Sequence, residues 1–169
     1  MEALNVFCVS KRDFERICEL ENWNDNNPPK TWAVISICCN RDVAKYVLPD
    51  DDNHWFSEEH ENVLNVNFDD ITEDRRTFDL VDYGGEGTMT AYGITPETAD
   101  RIVRYIDNHR KMSFLVHCRA GKSRSQAVTR YIADFYGHAI SNHENPCINY
   151  NSHTYVALKH ARERMEEGK

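Results

Sequence analysis

What this chain lacks sets the first limits. No run of about 18 apolar residues occurs, so a membrane-spanning helix and stable membrane insertion are not expected. Positive charge is scarce: 20 Lys and Arg stand against 28 Asp and Glu, a net charge of −8. Nucleic acid calls for a basic surface, so it is not an expected partner, and any anion site must be a local positive pocket. Met1 to Ser10 lacks the basic start and apolar stretch of a signal peptide and reads as a first strand. There is no Cys-x2-Cys pair, and the eight histidines show no ligand spacing. A metal centre is therefore not expected, and no other cofactor is called for. Internal repeats and a domain-scale linker are missing too.

What is present suits one globular domain spanning 1–169. The hydrophobic share is 40% and the charged share 28%, ordinary for a folded protein. A chain of this length buries roughly two-thirds of its unfolded surface. Of the six cysteines, Cys8, Cys38 and Cys39 sit inside apolar runs. That placement predicts reduced, buried thiols and a cytoplasmic setting rather than a disulfide scaffold. Cys147, in Asn145-Pro146-Cys147, reads as a loop thiol.

Strand-like and helix-like pieces alternate along the chain. Leu4 to Val9 is a short apolar run, and Ser10 with Asp13 opens a helix faced by Phe14, Ile17 and Cys18. Residues 22–30 read as a loop. Trp32 to Cys39 is nearly continuous and apolar, as in a strand covered on both faces. The acidic stretch from Pro49 to Glu61 reads as a solvated surface. Val63 to Phe68 is a further strand that ends at Asp69-Asp70. Ile71 to Gly93 is polar and Gly-rich and reads as one long loop. Thr95-Pro96-Glu97 starts a helix with a stripe of Ala99, Ile102, Val103 and Ile106. Ser113 to His117 predicts a strand, with helices over 123–136 and 152–166. This order predicts an α/β fold: a three-layer domain with a mainly parallel central sheet.

The stretch His117-Cys118-Arg119-Ala120-Gly121-Lys122-Ser123-Arg124-Ser125 carries the chemistry. An apolar strand runs into Cys118, a glycine sits mid-loop, and a helix starts at Arg124. Backbone N–H groups of residues 119 to 124 are placed to curl around one anion, with the helix N-terminus behind them. The Arg124 guanidinium is suited to gripping two phosphate oxygens in a fork. Cys118 lies under that positive field, which favours its thiolate as a nucleophile toward phosphorus. Arg119 and Lys122 add charge to the same loop.

His-Cys-x5-Arg-Ser resembles the signature of the cysteine-dependent protein tyrosine phosphatase superfamily. The short chain is similar to its dual-specificity branch, including small bacterial and phage-type members. The resemblance implies a phosphatase-like fold and hydrolysis of a phosphorylated protein or small phosphomonoester through a phosphocysteine intermediate. It assigns Cys118 as nucleophile and Arg124 as the arginine that binds phosphate and stabilises the transition state. Ser125 becomes the hydroxyl that helps the thiolate leave, and His117 the residue that positions the cysteine. Residues 119–124 become the phosphate-binding loop. A general acid is implied on a loop before the helix that leads into the signature strand. Asp70 is the best match, with Asp69, Asp82 and Glu86 as the other candidates. Cys-Arg-Ala-Gly-Lys-x-Arg is also similar to the loop of phosphoinositide 3-phosphatases, which leaves an inositol-phosphate substrate as an alternative. A catalytically silent phosphate-binding module is another. Asn151 and Tyr155 are candidate pocket neighbours that capping and packing explain equally well.

Overall fold

The computed structural model describes residues 3–41, 43, 52–141 and 149–168. Cys147 and the start of the acidic stretch, 49–51, lie outside the described residues. Strand β1 (Asn5–Ser10) leads into helix α1 (Lys11–Leu20), followed by β2 (Trp32–Cys38) and β3 (Val63–Asn67). A ribbon of β4 (Arg75–Asp79), a 3-10 turn (Leu80–Tyr83) and β5 (Thr88–Tyr92) comes next. Helix α2 (Pro96–Asn108), β6 (Ser113–Cys118), α3 (Arg124–Tyr136), β7 (Ala139–Ile140) and α4 (Ser152–Glu167) complete the described elements.

Five strands form one sheet in the order β3-β2-β6-β1-β7, every pair parallel. The period-two alternation of strands divides its side chains between two faces. Ala33, Ile35, Ile37, Phe114, Val116 and Cys118 face α2, α3 and α4, where Ile102, Ile106, Tyr131, Ile132 and Leu158 close the larger core. Val34 and Leu115 face the other way, toward Phe14 and Cys18 of α1 and toward Phe56. The fold is therefore the expected α/β three-layer domain. Each buried Phe or Ile in these clusters contributes about 1.5–3 kcal/mol by leaving water.

Local signals explain the helix starts. The Ser10 hydroxyl accepts from the Asp13 N–H at 3.1 Å, and Thr95 accepts from the Thr98 N–H at 3.2 Å with Pro96 following. These bonds satisfy N–H groups that a helix leaves open at its first turn. Among the described residues no helix is long and apolar enough to cross a membrane. Cys8, Cys18, Cys38, Cys39 and Cys118 are all buried, and none of them is in a disulfide.

The segment 71–93 is not the single loop its composition suggests. Its strands pair from Arg75↔Tyr92 to Asp79↔Thr88, antiparallel and separate from the main sheet. The glycines at 84, 85 and 87 serve the turn, with Gly84 at φ 77° and Gly87 at φ 86°. Both lie in left-handed backbone that other residues adopt at a cost. Only Phe78 among the residues of β4 is apolar, so that strand carries no alternation to read.

Candidate active site

All main-sheet strands run the same way, so β1, β2, β3 and β6 end at one edge, where a parallel sheet gathers ligand-binding loops. Cys118 is the last residue of β6 and Arg124 the first of α3. The loop between them turns at Gly121, whose φ is 68°. A Cβ there would lie 2.6 Å from the Val9 carbonyl carbon and 2.7 Å from the Ser10 nitrogen. Glycine is thus required twice, by the left-handed turn and by the approach to β1. The Lys11 N–H donates to the Arg119 carbonyl at 3.1 Å, and Gln126 Nε2 to the Gly121 carbonyl at 3.2 Å. The loop is held from both flanks.

Cys118 is buried, its Sγ 3.0 Å from the Ser125 hydroxyl. Cys8 Sγ donates to the same hydroxyl at 3.1 Å and to the Gly121 carbonyl at 3.4 Å. Cys8 was legible only as a core thiol, because its role depends on β1 lying beside β6.

Arg124 is 3% exposed. One nitrogen, Nη1, donates to the Phe68 carbonyl at 2.7 Å and to Cys39 Sγ at 3.4 Å. Its Nε is buried without a partner. Burial opposes its charge, yet Cys39, Cys118 and Asp70 beside it raise its pKa above the ordinary arginine value. A buried, charged guanidinium anchored by one nitrogen keeps donors for an anion. Cys39 itself is pushed up to about 11 by burial, and Cys18 and Cys38 to about 12.

His117 is 1% exposed and stacks on Phe14 with ring centroids 4.2 Å apart. Its Nε2 bonds Ser36 Oγ at 2.7 Å, and Ser36 continues to His54 Nδ1 at 2.7 Å. Burial pulls the His117 pKa down to about 3, so the imidazole is neutral. It faces α1 while Cys118 faces α3, which makes it a support for the strand end and not a group over the cavity.

Of the four acid candidates, Asp69 and Asp70 both line the cavity, and they differ in burial and in partners. Asp70 is exposed and lines the same cavity as Cys118 and Arg124. Its Oδ1 accepts from Ser123 Oγ at 2.7 Å and from Asn151 Nδ2 at 2.8 Å. With Oδ1 doubly engaged, Oδ2 is the oxygen left to carry a proton. Asp69, 2% exposed, accepts from the Asn40 N–H at 2.9 Å, Asn40 Nδ2 at 3.0 Å and the Tyr92 N–H at 2.8 Å. It ties β2 and the ribbon together. Asp82 and Glu86 are exposed at the ribbon's turn and do not line the cavity. Asn151 caps α4 through the Thr154 N–H at 2.9 Å and also holds the Ile71 carbonyl at 3.0 Å. It is both cap and site neighbour. Tyr155 instead donates to Asp134 at 2.7 Å and stays outside the cavity.

The cavity holds about 310 Å³. Its floor is Cys118, Arg119, Ala120, Lys122, Ser123 and Arg124; its walls include Cys39, Val43, Ile71, Phe78, Tyr83 and Met89. Arg119 and Lys122 make no ion pair among the described residues. No three His, Cys, Asp or Glu side chains gather as a metal site among the described residues. No family model, curated protein or solved structure matches the chain.

Proposed function

We propose that this chain is a cysteine-dependent phosphomonoester hydrolase of the tyrosine or dual-specificity type, working in the cytoplasm on a phosphorylated protein or small phosphomonoester. One observation carries the reading. Cys118, the anchored Arg124 and Asp70 line a single cavity at the C-terminal edge of the sheet. The geometry fits the signature's resemblance, and thiols held outside disulfides among the described residues suit a reducing compartment.

In the reaction, phosphate oxygens accept from the loop N–H groups and from the free donors of Arg124. Cys118 Sγ attacks phosphorus and the P–O bond to the leaving group breaks. Asp70 Oδ2 gives its proton to the departing oxygen. Water then attacks the phosphocysteine while the Asp70 carboxylate takes its proton. The P–S bond breaks and the Ser125 hydroxyl, 3.0 Å from Sγ, stabilises the returning thiolate by donating to it. Inorganic phosphate leaves and Asp70 is again protonated.

The test is a panel of phosphotyrosine, phosphothreonine and inositol-phosphate substrates, assayed with and without chelator. The expected result is turnover indifferent to chelator, abolished in Cys118→Ser while inorganic phosphate still binds. Near-wild-type turnover by Cys118→Ser removes the nucleophile from this reading. Phosphate binding without turnover by the wild-type chain identifies a silent binding module instead.

A further inference from the structure

The face of the sheet turned toward α1 is not fully covered by that helix. The register pairs Phe7 with Leu115 and Leu115 with Val34, and Trp32 stands two residues before Val34, so all four share this face. Phe14 and Cys18 of α1 pack with Val34 and Leu115. The helix then stops at Leu20, and the chain turns through Asn22, at φ 55°, to bring Trp23 to the same place. The Trp23 N–H donates to the Cys18 carbonyl at 2.8 Å, and the Trp23 carbonyl accepts from Trp55 Nε1 at 2.8 Å, which fixes the turn. What remains open is a cavity of about 250 Å³ lined by Phe7, Ile17, Trp23, Trp32 and Leu115, together with Glu21. The rings of Phe7 and Trp32 stand edge to face, 5.5 Å between centres, and all three aromatic side chains are half-buried. This cavity lies across the sheet from Cys118, which packs toward α3.

One charged group stands among these apolar walls. Glu21 is exposed, caps the C-terminal end of α1 and makes no ion pair among the described residues. The last turn of that helix has no basic residue, so the Glu21 carboxylate adds to the negative end of the helix dipole without compensation. An anion is repelled here. A neutral apolar ligand would take water from the carboxylate and return nothing to it. A primary ammonium or a metal ion would lose tightly held water against aromatic walls. A quaternary ammonium meets both surfaces: its charge is spread over methyl groups, and aromatic rings attract it. At roughly 30 Å³ per water-sized group, the cavity accommodates about eight non-hydrogen atoms, the size of a small trimethylammonium alcohol. We infer that this pocket binds a free quaternary ammonium compound of the choline type, enclosed by Phe7, Trp23 and Trp32 with Glu21 as the counter-charge. The binding uses neither Cys118 nor Arg124 and is independent of the phosphomonoesterase reading.

Calorimetry, with the indole N–H resonances of Trp23 and Trp32 as a local readout, tests this with three probes: choline, its uncharged carbon isostere dimethylbutanol, and a peptide carrying trimethyl-lysine. Choline is expected to bind with a Kd on the order of 1 mM and to shift both indole resonances, and dimethylbutanol to bind at least about ten-fold more weakly. Glu21→Gln, at an exposed position, should weaken choline about ten-fold and leave dimethylbutanol within about two-fold. Trp32→Leu keeps apolar bulk and removes the ring, and should also weaken choline about ten-fold or more. If that variant fails to fold, Trp23→Leu on the turn takes its place with the same expectation. Equal affinity for choline and dimethylbutanol, or choline binding untouched in Glu21→Gln, overturns the inference. So does the absence of choline binding at about 10 mM. Binding of the trimethyl-lysine peptide alone overturns the free-ligand assignment and places the cation on a partner chain. Cys118→Ser should bind choline as wild type does, whatever becomes of the hydrolase reading. A changed choline affinity in that variant would move the ligand to the Cys118 cavity and overturn the separate site.

Discussion

Asp69 and Asp70 are neighbours in sequence with opposite environments. Asp69 is saturated by three donors and buried, while Asp70 keeps one oxygen open at the cavity. Asp70→Asn keeps size and removes the proton, so poor leaving groups should slow on the order of 10²-fold or more, and nitrophenyl phosphate less. Asp69→Asn should instead lower stability by about 1–3 kcal/mol, because an amide NH2 replaces an acceptor oxygen facing N–H donors. Leaving-group series and thermal melts on both variants separate the roles. A leaving-group-dependent loss in Asp69→Asn would move the acid by one residue. The Cys118 and Arg124 pairing was readable because strand, glycine and helix start occur in one stretch. Phe68, which supplies the carbonyl for Arg124, and Cys39 gave no such signal, since both are core residues by composition.

At the scale of elements, the β6–α3 loop depends on β1. Gly121 sits against the backbone of Val9 and Ser10, and the Lys11 N–H caps the Arg119 carbonyl. Gly121→Ala forces a Cβ into that backbone at a left-handed φ, a strain of about 1–3 kcal/mol. The loop should lift from β1 and its N–H groups should splay. Calorimetry should find phosphate affinity reduced at least ten-fold, with the melting temperature lowered. Unchanged affinity would mean that the N–H array does not hold the anion. The ribbon over 71–93 was misread for an equally local reason. Its apolar face looks onto a cavity instead of a core, so β4 shows one apolar residue in five and its glycine-rich turn reads as loop. The alternating Thr88-Met89-Thr90-Ala91-Tyr92 was the one usable strand signal.

Across the whole molecule, the polar chain His117–Ser36–His54 lies between the sheet and α1, with burial lowering the pKa of both imidazoles, His117 to about 3. In the unfolded chain each binds a proton near pH 6.5. The unfolded state thus holds more protons between pH 6.5 and about 3, and stability is lost as pH falls through that window. Thermal melts from pH 7 to pH 4 should show a falling midpoint, and His117→Asn should flatten the slope. An unchanged slope would locate the acid sensitivity elsewhere. Period-two and period-3.6 patterning by itself determined the parallel three-layer fold, since continuous apolar strands must be covered on both faces. The stretch from Cys118 to Arg124 likewise determined the strand–loop–helix turn with Gly121 at its bend, because that geometry is local. Only the tertiary structure decided which carboxylate stands free and which is consumed, what anchors Arg124, and that the ribbon walls the cavity. Those outcomes depend on contacts such as Ser123–Asp70 and Asn151–Asp70, between residues 53 and 81 positions apart, which no local pattern encodes.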